Sequence, residues 1–306
     1  MHHYLFARTI QSILVLFGVL VLVFFMVRLT GDPAALMLSR EASPEAVAAF
    51  REQMGFNRPV VVQFADFLRR AAGGDFGSSL RYRTPAFQMI LERLPATLQL
   101  AGVAMLIAVG VAIPLGLIGG ARPGSIWDTL ARVVGLLGQS VPNFWLALIM
   151  ILVFAVRLRW LPSFGRDEWR SVLMPAFVLG LAPMGQLVRL MRSAVLEIRG
   201  EDFIRTAYSK GLATHVVYQR HILRNAIMPL ISVLGVQFGY LLGGSIYIET
   251  IFAWPGIGRM IAEAVAGRDF PLVQAIALFS SLVVVGLNIL TDLAYALIDP
   301  RIRYGT

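Results

Sequence analysis

The 306-residue chain is 57% hydrophobic and only 15% charged, with a mean hydropathy of +0.72. A soluble domain carries charge on about a quarter of its residues, so this composition predicts a protein embedded mostly in a bilayer. The chain has no cysteine, which excludes disulfides, thiolate metal sites and cysteine nucleophiles. Its formal net charge of +9 comes almost entirely from arginine. Arginines that flank membrane spans and meet anionic headgroups explain this charge better than nucleic-acid binding does.

Six apolar runs are long enough, at about 20 residues each, to cross the hydrocarbon core of a bilayer as helices. They are Ile10–Leu29, Leu98–Ile118, Leu130–Val156, Leu173–Met191, Ile227–Ile248 and Leu272–Leu297. The first run is too long for the apolar region of a cleavable signal peptide, and no small-residue cleavage site follows it, so it is predicted to remain as a span. The fourth is interrupted by Pro175 and Pro183, which membrane helices tolerate when neighbours satisfy the freed carbonyls. The runs predict an all-α polytopic membrane protein with six transmembrane helices.

Arginine and lysine in the short loops predict the orientation. Seven basic residues lie in the segment 189–226, and an alternation of six spans adds Arg8, Arg122, Arg301 and Arg303 to the same side. The opposite short loops hold six: Arg157, Arg159, Arg166, Arg170, Arg259 and Arg268. Because cytoplasmic loops are enriched in basic residues, both termini and the segment 189–226 are predicted to be cytoplasmic.

The long segment after the first span has the signals of a small folded region. Ser43, Pro44 and Glu45 supply a cap, a first-turn proline and a first-turn acid in the order that opens a helix. Apolar residues at helical spacing and a glycine-rich turn follow, namely Ala46, Val47, Phe50, Met54 and Gly73–Ser79. The chain is therefore divided into an N-terminal span (1–30), an external α-rich region (31–96), a transmembrane domain (97–299) with a cytoplasmic loop (193–226), and a cytoplasmic tail (300–306).

A polar stretch between the fourth and fifth runs carries the signals of two helices. Glu201 and Asp202 place negative charge where it suits a helix N-terminus. Lys210 and Gly211 supply a cation and a left-handed cap for the C-terminus, and Thr214 is predicted to cap the second helix. One apolar face is predicted from Phe203, Ile204, Ala207 and Tyr208. Such a helix is suited to docking a soluble partner, although it also fits an interfacial helix that anchors the loop in the headgroups.

The sequence lacks the motifs of common catalytic sites. None of the four histidines belongs to an H-E-x-x-H zinc motif, and no G-x-S-x-G is present around Ser140 or elsewhere. The only lysine, Lys210, lies between Ser209 and Gly211, so the chain has no P-loop to cradle ATP phosphates. The chain is predicted not to be an enzyme and to bind no metal. If nucleotide drives it, another chain supplies the nucleotide site.

Polar residues within or near the apolar runs are candidates for a pathway. Burying them in lipid is costly, so Gln139, Asn143, Gln237, Asn288 and Asp292 are predicted to face the bundle interior or a water-filled path. Interhelical hydrogen bonding, or helix packing for the small Ser140, is the competing explanation. The segment 249–258 fits either an interfacial aromatic belt or a chain that re-enters the bundle at the external mouth. The predicted pathway residues are Gln139, Ser140, Asn143, Gln237, Glu249 and Trp254.

Together these segments resemble, from end to end, the membrane permease subunits of ABC importers for dipeptides, oligopeptides and nickel. The resemblance rests on short strings in a fixed order: Gly31-Asp-Pro-Ala34, Gly74-Asp-Phe-Gly77, Pro142-Asn-Phe-Trp145, Glu201-Asp-Phe-Ile-Arg-Thr-Ala207, Lys210-Gly-Leu212, Arg220-His-Ile-Leu-Arg-Asn-Ala226 with Pro229, Glu249-Thr-Ile-Phe-Ala-Trp-Pro-Gly256, and Asp299-Pro-Arg-Ile-Arg303. The chain looks most like the first permease of the dipeptide-type pair, which has the larger external region.

The resemblance implies a type I ABC importer (MetI-like) permease fold, multi-pass in the cell (inner) membrane. Importer permeases carry an E-A-A-x-x-x-G loop that forms a coupling helix seated in a cleft of the ATPase. Arg205-Thr206-Ala207 with Gly211 matches that loop but lacks its acid. The coupling role is therefore assigned to Glu201, Asp202, Arg205, Thr206, Ala207, Lys210 and Gly211. The implied partners are a second homologous permease, two cytoplasmic ABC ATPases, an external substrate-binding protein and the lipid bilayer, with no nucleic acid. ATP and Mg²⁺ act on the ATPases, and this chain binds no cofactor.

The implied function is translocation of di- or oligopeptides, or of a related ligand such as a nickel complex or glutathione, by an ATP-driven importer. A stand-alone channel or secondary transporter is the main alternative, although no inverted pair of Gly/Pro-broken spans marks two halves of the chain. A structural subunit without a pathway is a third. A stand-alone protein would transport without ATPases, whereas an importer would couple ligand to ATP hydrolysis in a complex.

Overall fold

A computed structural model of the chain describes residues 2–29, 34, 35, 38, 42–53 and 55–298. Within this part the fold is nearly all helical, as the sequence predicts, and the only β pairing is an isolated antiparallel bridge between Ser78 and Pro85. The tail at 300–306 and the side chains of Asn288 and Asp292 lie outside the described residues, so what the sequence predicts for them stays a prediction.

Twelve α-helices are described, and short segments of other helix types connect several of them. In chain order they are α1 (His2–Leu29), α2 (Pro44–Gln53), α3 (Val60–Ala72), α4 (Ala86–Ala121), α5 (Ile126–Ser140), α6 (Asn143–Met150), α7 (Leu173–Arg199), α8 (Asp202–Ser209), α9 (Thr214–Val216), α10 (Leu223–Ile251), α11 (Ile257–Ala266) and α12 (Phe270–Ile298). A π-helical segment, Ile151–Arg157, extends α6, and another, Val217–Ile222, joins α9 to α10. A 3-10 turn, Trp169–Val172, leads into α7.

The helices divide into two compact units, and the first contains the described residues of 1–95 and 256–306. In this unit α1 packs along α12. The ring of Phe24 in α1 lies 5.0 Å from that of Phe64 and 5.7 Å from that of Phe67, both in α3. This aromatic cluster attaches α3, which lies in the region predicted to be external, to the end of the first predicted span.

Short polar contacts fix the ends of helices in the first unit. The Ser43 hydroxyl accepts a hydrogen bond from the Ala46 N–H at 3.2 Å, which confirms the predicted start of α2. A backbone hydrogen bond and a bond with Ser43 hold the pKa of the Glu45 carboxyl below its ordinary value. At α12 the buried Asp269 carboxylate accepts bonds from the Ser79 hydroxyl and from the Leu80 N–H at 3.1 Å. The turn that precedes α4 is thereby tied to the start of α12.

The second unit, residues 96–255, is built around α7, which packs against α5 and α10. Glycines let these helices approach closely. A Cβ added at Gly138 in α5 would lie 2.6 Å from the carbonyl oxygen of Leu181 in α7. One added at Gly116 in α4 would lie 2.6 Å from the Cβ of Met191. Since no side chain fits at these contacts, α4, α5 and α7 are tightly interlocked within the unit.

Proline has opposite effects at two places. The run Leu130–Val156 is predicted as one helical span. It is not one continuous helix, because α5 and the extended α6 meet at a bend of 106°. Pro142 disfavours helical backbone at the residue before it, and Val141 is extended, with φ −84° and ψ 120°. Pro183, in contrast, lies inside an unbroken α7, where packing on several sides buries it.

Three helices in the described part are long and apolar enough to cross a membrane: Ala86–Ala121, Trp169–Arg199 and Phe270–Leu287. Two bent pairs raise the number to as many as five, and the apolar stretch Ile13–Phe25 of α1 is shorter. Every one of these segments overlaps a predicted run. The count of six spans itself stays a prediction.

Candidate functional site

The polar stretch after α7 folds as the short capped helix that the sequence predicts. Helix α8 begins directly after Glu201 and ends at Ser209, with Lys210 in the C-cap position. Gly211 has φ +76°, as expected for a left-handed cap. Its N–H donates to the carbonyl oxygen of Tyr208 at 2.9 Å, and the Leu212 N–H donates to that of Ala207 at 3.3 Å. This pair of bonds is the Schellman arrangement that terminates many helices.

One face of α8 anchors it to the rest of the second unit. Ile204 is 1% exposed and Ala207 is 5% exposed, and both belong to a core cluster with Val217 and Ile222 of the following π-helical segment. The cluster continues into α7 and α10. The helix is therefore held by burial of these two side chains rather than by the lipid surface alone.

Two expectations for this stretch are corrected. Phe203 and Tyr208 do not share the buried face with Ile204 and Ala207, because they are 44% and 42% exposed. The eight residues of α8 make only about two turns of helix, so its contact with the core is narrow. Phe203 comes one position before Ile204 and Tyr208 one position after Ala207, and both lie outside that contact. Thr214 is also not a cap: it is the first residue of α9, and Ala213 occupies the cap position without a side-chain bond.

The rest of α8 is exposed, and apart from Phe203 and Tyr208 it is polar. It carries most of the residues that the sequence assigns to coupling: Glu201, Asp202, Arg205, Thr206 and Lys210. Arg205 pairs with Asp202 at 3.4 Å, while these side chains remain 77% and 95% exposed. The Thr206 hydroxyl donates to the carbonyl oxygen of Asp202 at 3.0 Å. The structure thus brings the assigned residues together on one short helix, with only Ala207 turned to the core.

A polar network that the sequence analysis missed braces the helices next to α8. Asp128 is 3% exposed, and its carboxylate accepts hydrogen bonds from Arg192 at 2.5 Å and from the Gly124 N–H at 3.0 Å. The carbonyl oxygen of Ala121 accepts bonds from Arg199 at 3.3 Å and from Tyr218 at 3.5 Å. The spacing Ser125-x-x-Asp128, typical of a helix N-terminus, was the available signal.

Glu249 and Trp254 meet in a closed corner of the second unit. The Thr97 hydroxyl donates to Oε1 of Glu249 at 2.8 Å, and the indole N–H of Trp254 donates to the carbonyl oxygen of Ala96 at 2.8 Å. Both side chains, and that of Phe252, are at most 1% exposed. These residues border no open surface in this structure, and their burial also does not fit an aromatic belt that faces headgroups.

The other predicted pathway residues lie elsewhere in the unit. Gln139 and Ser140 are exposed at the end of α5, and Asn143 is half-buried at the start of α6, so these three lie at the 106° bend. Gln237 is buried on α10, and its amide donates a hydrogen bond to Gln186 of α7. Gln186, which the sequence analysis did not select, is exposed. The six predicted residues therefore form no single cluster.

Comparison with protein families identifies the chain. The model for "Binding-protein-dependent transport system inner membrane component" matches residues 112–304, and the model for the N-terminal part of such membrane components matches residues 1–101. The chain belongs to this family. The resemblance stated from the sequence is thereby confirmed.

Curated relatives match this permease along its length. A dipeptide transport system permease protein of Alkalihalophilus pseudofirmus is 38% identical over 98% of this chain and 99% of its own. An oligopeptide transport system permease protein of Bacillus subtilis is 37% identical, with coverage of 98% and 99%. A glutathione transport system permease protein of Escherichia coli K12 is 38% identical, with coverage of 99% and 100%.

Solved structures of ABC importers share the fold of the permease. A chain of the MetNI methionine ABC transporter, in an inward-facing conformation, matches with a TM-score of 0.59 at 18% identity, over 70% of this chain and 98% of that chain. A chain of an amino acid ABC transporter crystallised with histidines gives 0.54 at 16% identity, over 69% and 95%. The predicted type I importer permease fold is confirmed. As a permease component, the chain is a transport subunit, and the ATPase of such a system is a separate subunit.

Proposed function

We propose that this permease is one of two membrane subunits of an ATP-driven importer of small peptides, and that α8 is its coupling helix. The observation that carries the proposal is the two-sided character of α8. Ile204 and Ala207 attach it to the packed core, while its acids, Arg205 and Lys210 are left for a soluble partner. A docking element needs both properties, because it must bind a partner and also move the helices behind it.

Small peptides are the proposed ligand class. Three relatives of similar length are named for dipeptide, oligopeptide and glutathione transport, and all three of these ligands contain peptide bonds. An external binding protein delivers the peptide, and selectivity resides largely in that protein. A second homologous permease completes the bundle, and two ATPases bind ATP and Mg²⁺ at its cytoplasmic side.

The packing behind α8 supports a lever mechanism. When ATP draws the two ATPases together, each pulls on the α8 seated in it. The pull passes through Val217 and Ile222 to α7 and α10, in which the same core cluster continues. Because α4, α5 and α7 interlock at glycine contacts, they respond as a group. The bundle then opens outward to accept peptide, and hydrolysis resets it.

The test compares two glycines with the same backbone geometry. Gly211 has φ +76° and Gly74 has φ +77°, and an added Cβ would meet no atom within 4 Å at either position. Valine at either site costs about 1–2 kcal/mol of local strain. Gly211→Val is expected to reduce capture of the ATPases and peptide-stimulated hydrolysis, whereas Gly74→Val in the external region leaves ATPase capture unchanged. Equal capture by wild type and both variants, at equal membrane insertion, would show that α8 is not the coupling element.

The orientation has its own test. A reporter that is active only in the cytoplasm is expected to be active when fused at Thr214 and silent when fused at Gly73, since positive charge holds the 189–226 segment inside. An active fusion at Gly73 would reverse the topology and remove α8 from the side of the ATPases.

A further inference from the structure

Helix α7 exposes only polar side chains. Of its residues between Leu173 and Arg199, the exposed ones are Gln186, Arg189, Ser193, Glu197 and Arg199. The first four recur at intervals of three and four, so they lie along one side of the helix. We call these four residues the polar face of α7. Every apolar side chain of α7 is at least partly buried.

Gln186 and Arg189, the first two residues of this face, lie at the depth of the hydrocarbon core. At a rise of about 1.5 Å per residue, the 27 residues of α7 extend about 39 Å, and Gln186 and Arg189 lie about 20 and 24 Å from Leu173. An upright layer about 30 Å thick that lies entirely within the length of α7 includes both residues wherever it is placed. Within such a layer Gln186 lies at least about 10 Å, and Arg189 at least about 6 Å, from either aqueous boundary.

Contact of the polar face of α7 with lipid acyl chains is energetically unfavourable. Charged and amide groups in contact with acyl chains are strongly disfavoured, and such residues in spans normally face other protein or a water-filled cavity. Other surfaces of the same unit suit lipid well: Leu106 of α4 is 73% exposed and Leu136 of α5 is 64% exposed. The unit thus presents apolar side chains outward on α4 and α5 and polar ones on α7.

Packing against α5 positions the side chain of Arg189, but no ion pair among the described residues neutralises its charge. A Cβ added at Gly135 would lie 2.6 Å from its Cγ, so the absence of a side chain on α5 makes room for the arginine stem. Its neighbour Arg192 pairs with Asp128, whereas no carboxylate among the described residues forms an ion pair with Arg189. On the same face, Gln186 accepts a hydrogen bond from Gln237. Arg189 therefore lies three positions after Gln186 on the same face, and it forms no ion pair with a carboxylate in the described part of the chain.

We infer that the polar face of α7 borders the water-filled route through the importer, and that Arg189 contacts the carboxylate of a short peptide in transit. The inference rests on the proposed function and adds the chemistry of the route. A planar guanidinium binds a carboxylate through two parallel hydrogen bonds. The amides of Gln186 and Gln237 match the donors and acceptors of peptide bonds. The route so described selects for the terminal carboxylate that unmodified peptides share.

The chain has no cysteine, so single cysteines report on water access directly. Gln186→Cys, Arg189→Cys and Ser193→Cys are each assembled into the full complex in membranes and treated with a membrane-impermeant thiol reagent from both sides. They are expected to be labelled. Leu106→Cys and Leu136→Cys are the matched controls, because they are highly exposed in the isolated chain but are expected to face lipid and stay unlabelled. Unlabelled polar-face cysteines in every nucleotide state would overturn the water-filled route.

A transport experiment tests the carboxylate contact. Uptake of a dipeptide and of the same dipeptide with an amidated C-terminus is measured at concentrations that saturate the binding protein with each. Arg189→Gln is expected to lower uptake of the free-carboxylate peptide about tenfold or more, since charge-assisted hydrogen bonds carry that much discrimination, and to leave the amidated peptide nearly unchanged. Arg189→Lys, which keeps the charge, is expected to recover part of the loss.

The outcomes separate the two proposals. An equal loss for both peptides would mean that Arg189 only supports the structure, which would overturn the carboxylate contact. A wild-type complex that takes up neither peptide while it hydrolyses ATP would instead overturn the proposed peptide import, whatever the labelling of α7 shows.

Discussion

The segments before and after most of α10 both combine acidic with aromatic residues, but they differ in how far these side chains are buried. Helix α8, which precedes α10 in the chain, carries acids beside aromatic residues, and both kinds of side chain are exposed, Phe203 by 44%. At the far end of α10, Glu249 and Trp254 also combine an acid with an aromatic residue, yet both are 0% exposed and hydrogen-bonded within the chain. The difference is whether the chain itself supplies partners. Thr97 and Ala96 complete the far corner, whereas none of the described residues buries the outer face of α8, which carries Asp202, Phe203, Arg205, Thr206 and Tyr208.

The largest effect is expected at the closed corner. Trp254→Ala removes the largest fully buried side chain of the described residues, and the cavity that it leaves is expected to destabilise the permease by about 3–5 kcal/mol. Trp160→Ala is the control, because Trp160 is 63% exposed and its loss is expected to cost less than about 1 kcal/mol. Thermal unfolding of the purified subunit measures both. Similar melting temperatures for the two variants would show that the corner is not closed.

An intermediate effect is expected from adjacent residues of α8. Ile204→Ala empties a site that is 1% exposed and is expected to loosen α8 by about 2–4 kcal/mol. Phe203→Ala, one position earlier, is expected to leave stability within about 0.5 kcal/mol of wild type. It is expected instead to weaken ATPase binding about tenfold, as loss of an aromatic interface residue commonly does. Proteolysis of the 200–214 segment and titration with the ATPases separate the two effects, and identical behaviour of the two variants would remove the distinction between the faces.

The smallest effect on the fold is expected from charge on the outer face. Reversal of Glu201 and Asp202 to lysine opposes the dipole of α8 but disturbs no buried contact, so the subunit is expected to insert normally. ATPase affinity is expected to fall several-fold at low salt, and the deficit to shrink as salt is raised, because screening weakens exposed charges. Glu92→Lys on the exposed start of α4 serves as the control. A deficit that does not depend on salt would contradict an electrostatic contact.

Local signals predicted local structure correctly in this chain. The start of α2 at Ser43 and the left-handed Gly211 depend on residues within four positions of each other, and both were predictable from spacing. The face that α8 buries depends on Val217 and Ile222, which belong to a π-helical segment with no clear signature in the sequence. Glu249 accepts a hydrogen bond from Thr97, 152 positions away, and no pattern within either run connects them. Contacts between distant segments were therefore the part that sequence reasoning could not supply.

The contact between Gly138 and Gly185 has a mechanical consequence. Side chains absorb small shifts by changing rotamer, but here backbone meets backbone, and a Cβ on Gly185 would lie 3.0 Å from the Cα of Gly138. At this contact no side chain lies between α5 and α7, so we expect a displacement of α7 to be transmitted to α5 here. The ladder of helical hydrogen bonds is instead interrupted at Val141 and Pro142, at the 106° bend between α5 and α6. Under the coupling role proposed for α8, a displacement that reaches α7 and α5 meets this bend next, and we expect bending to occur there.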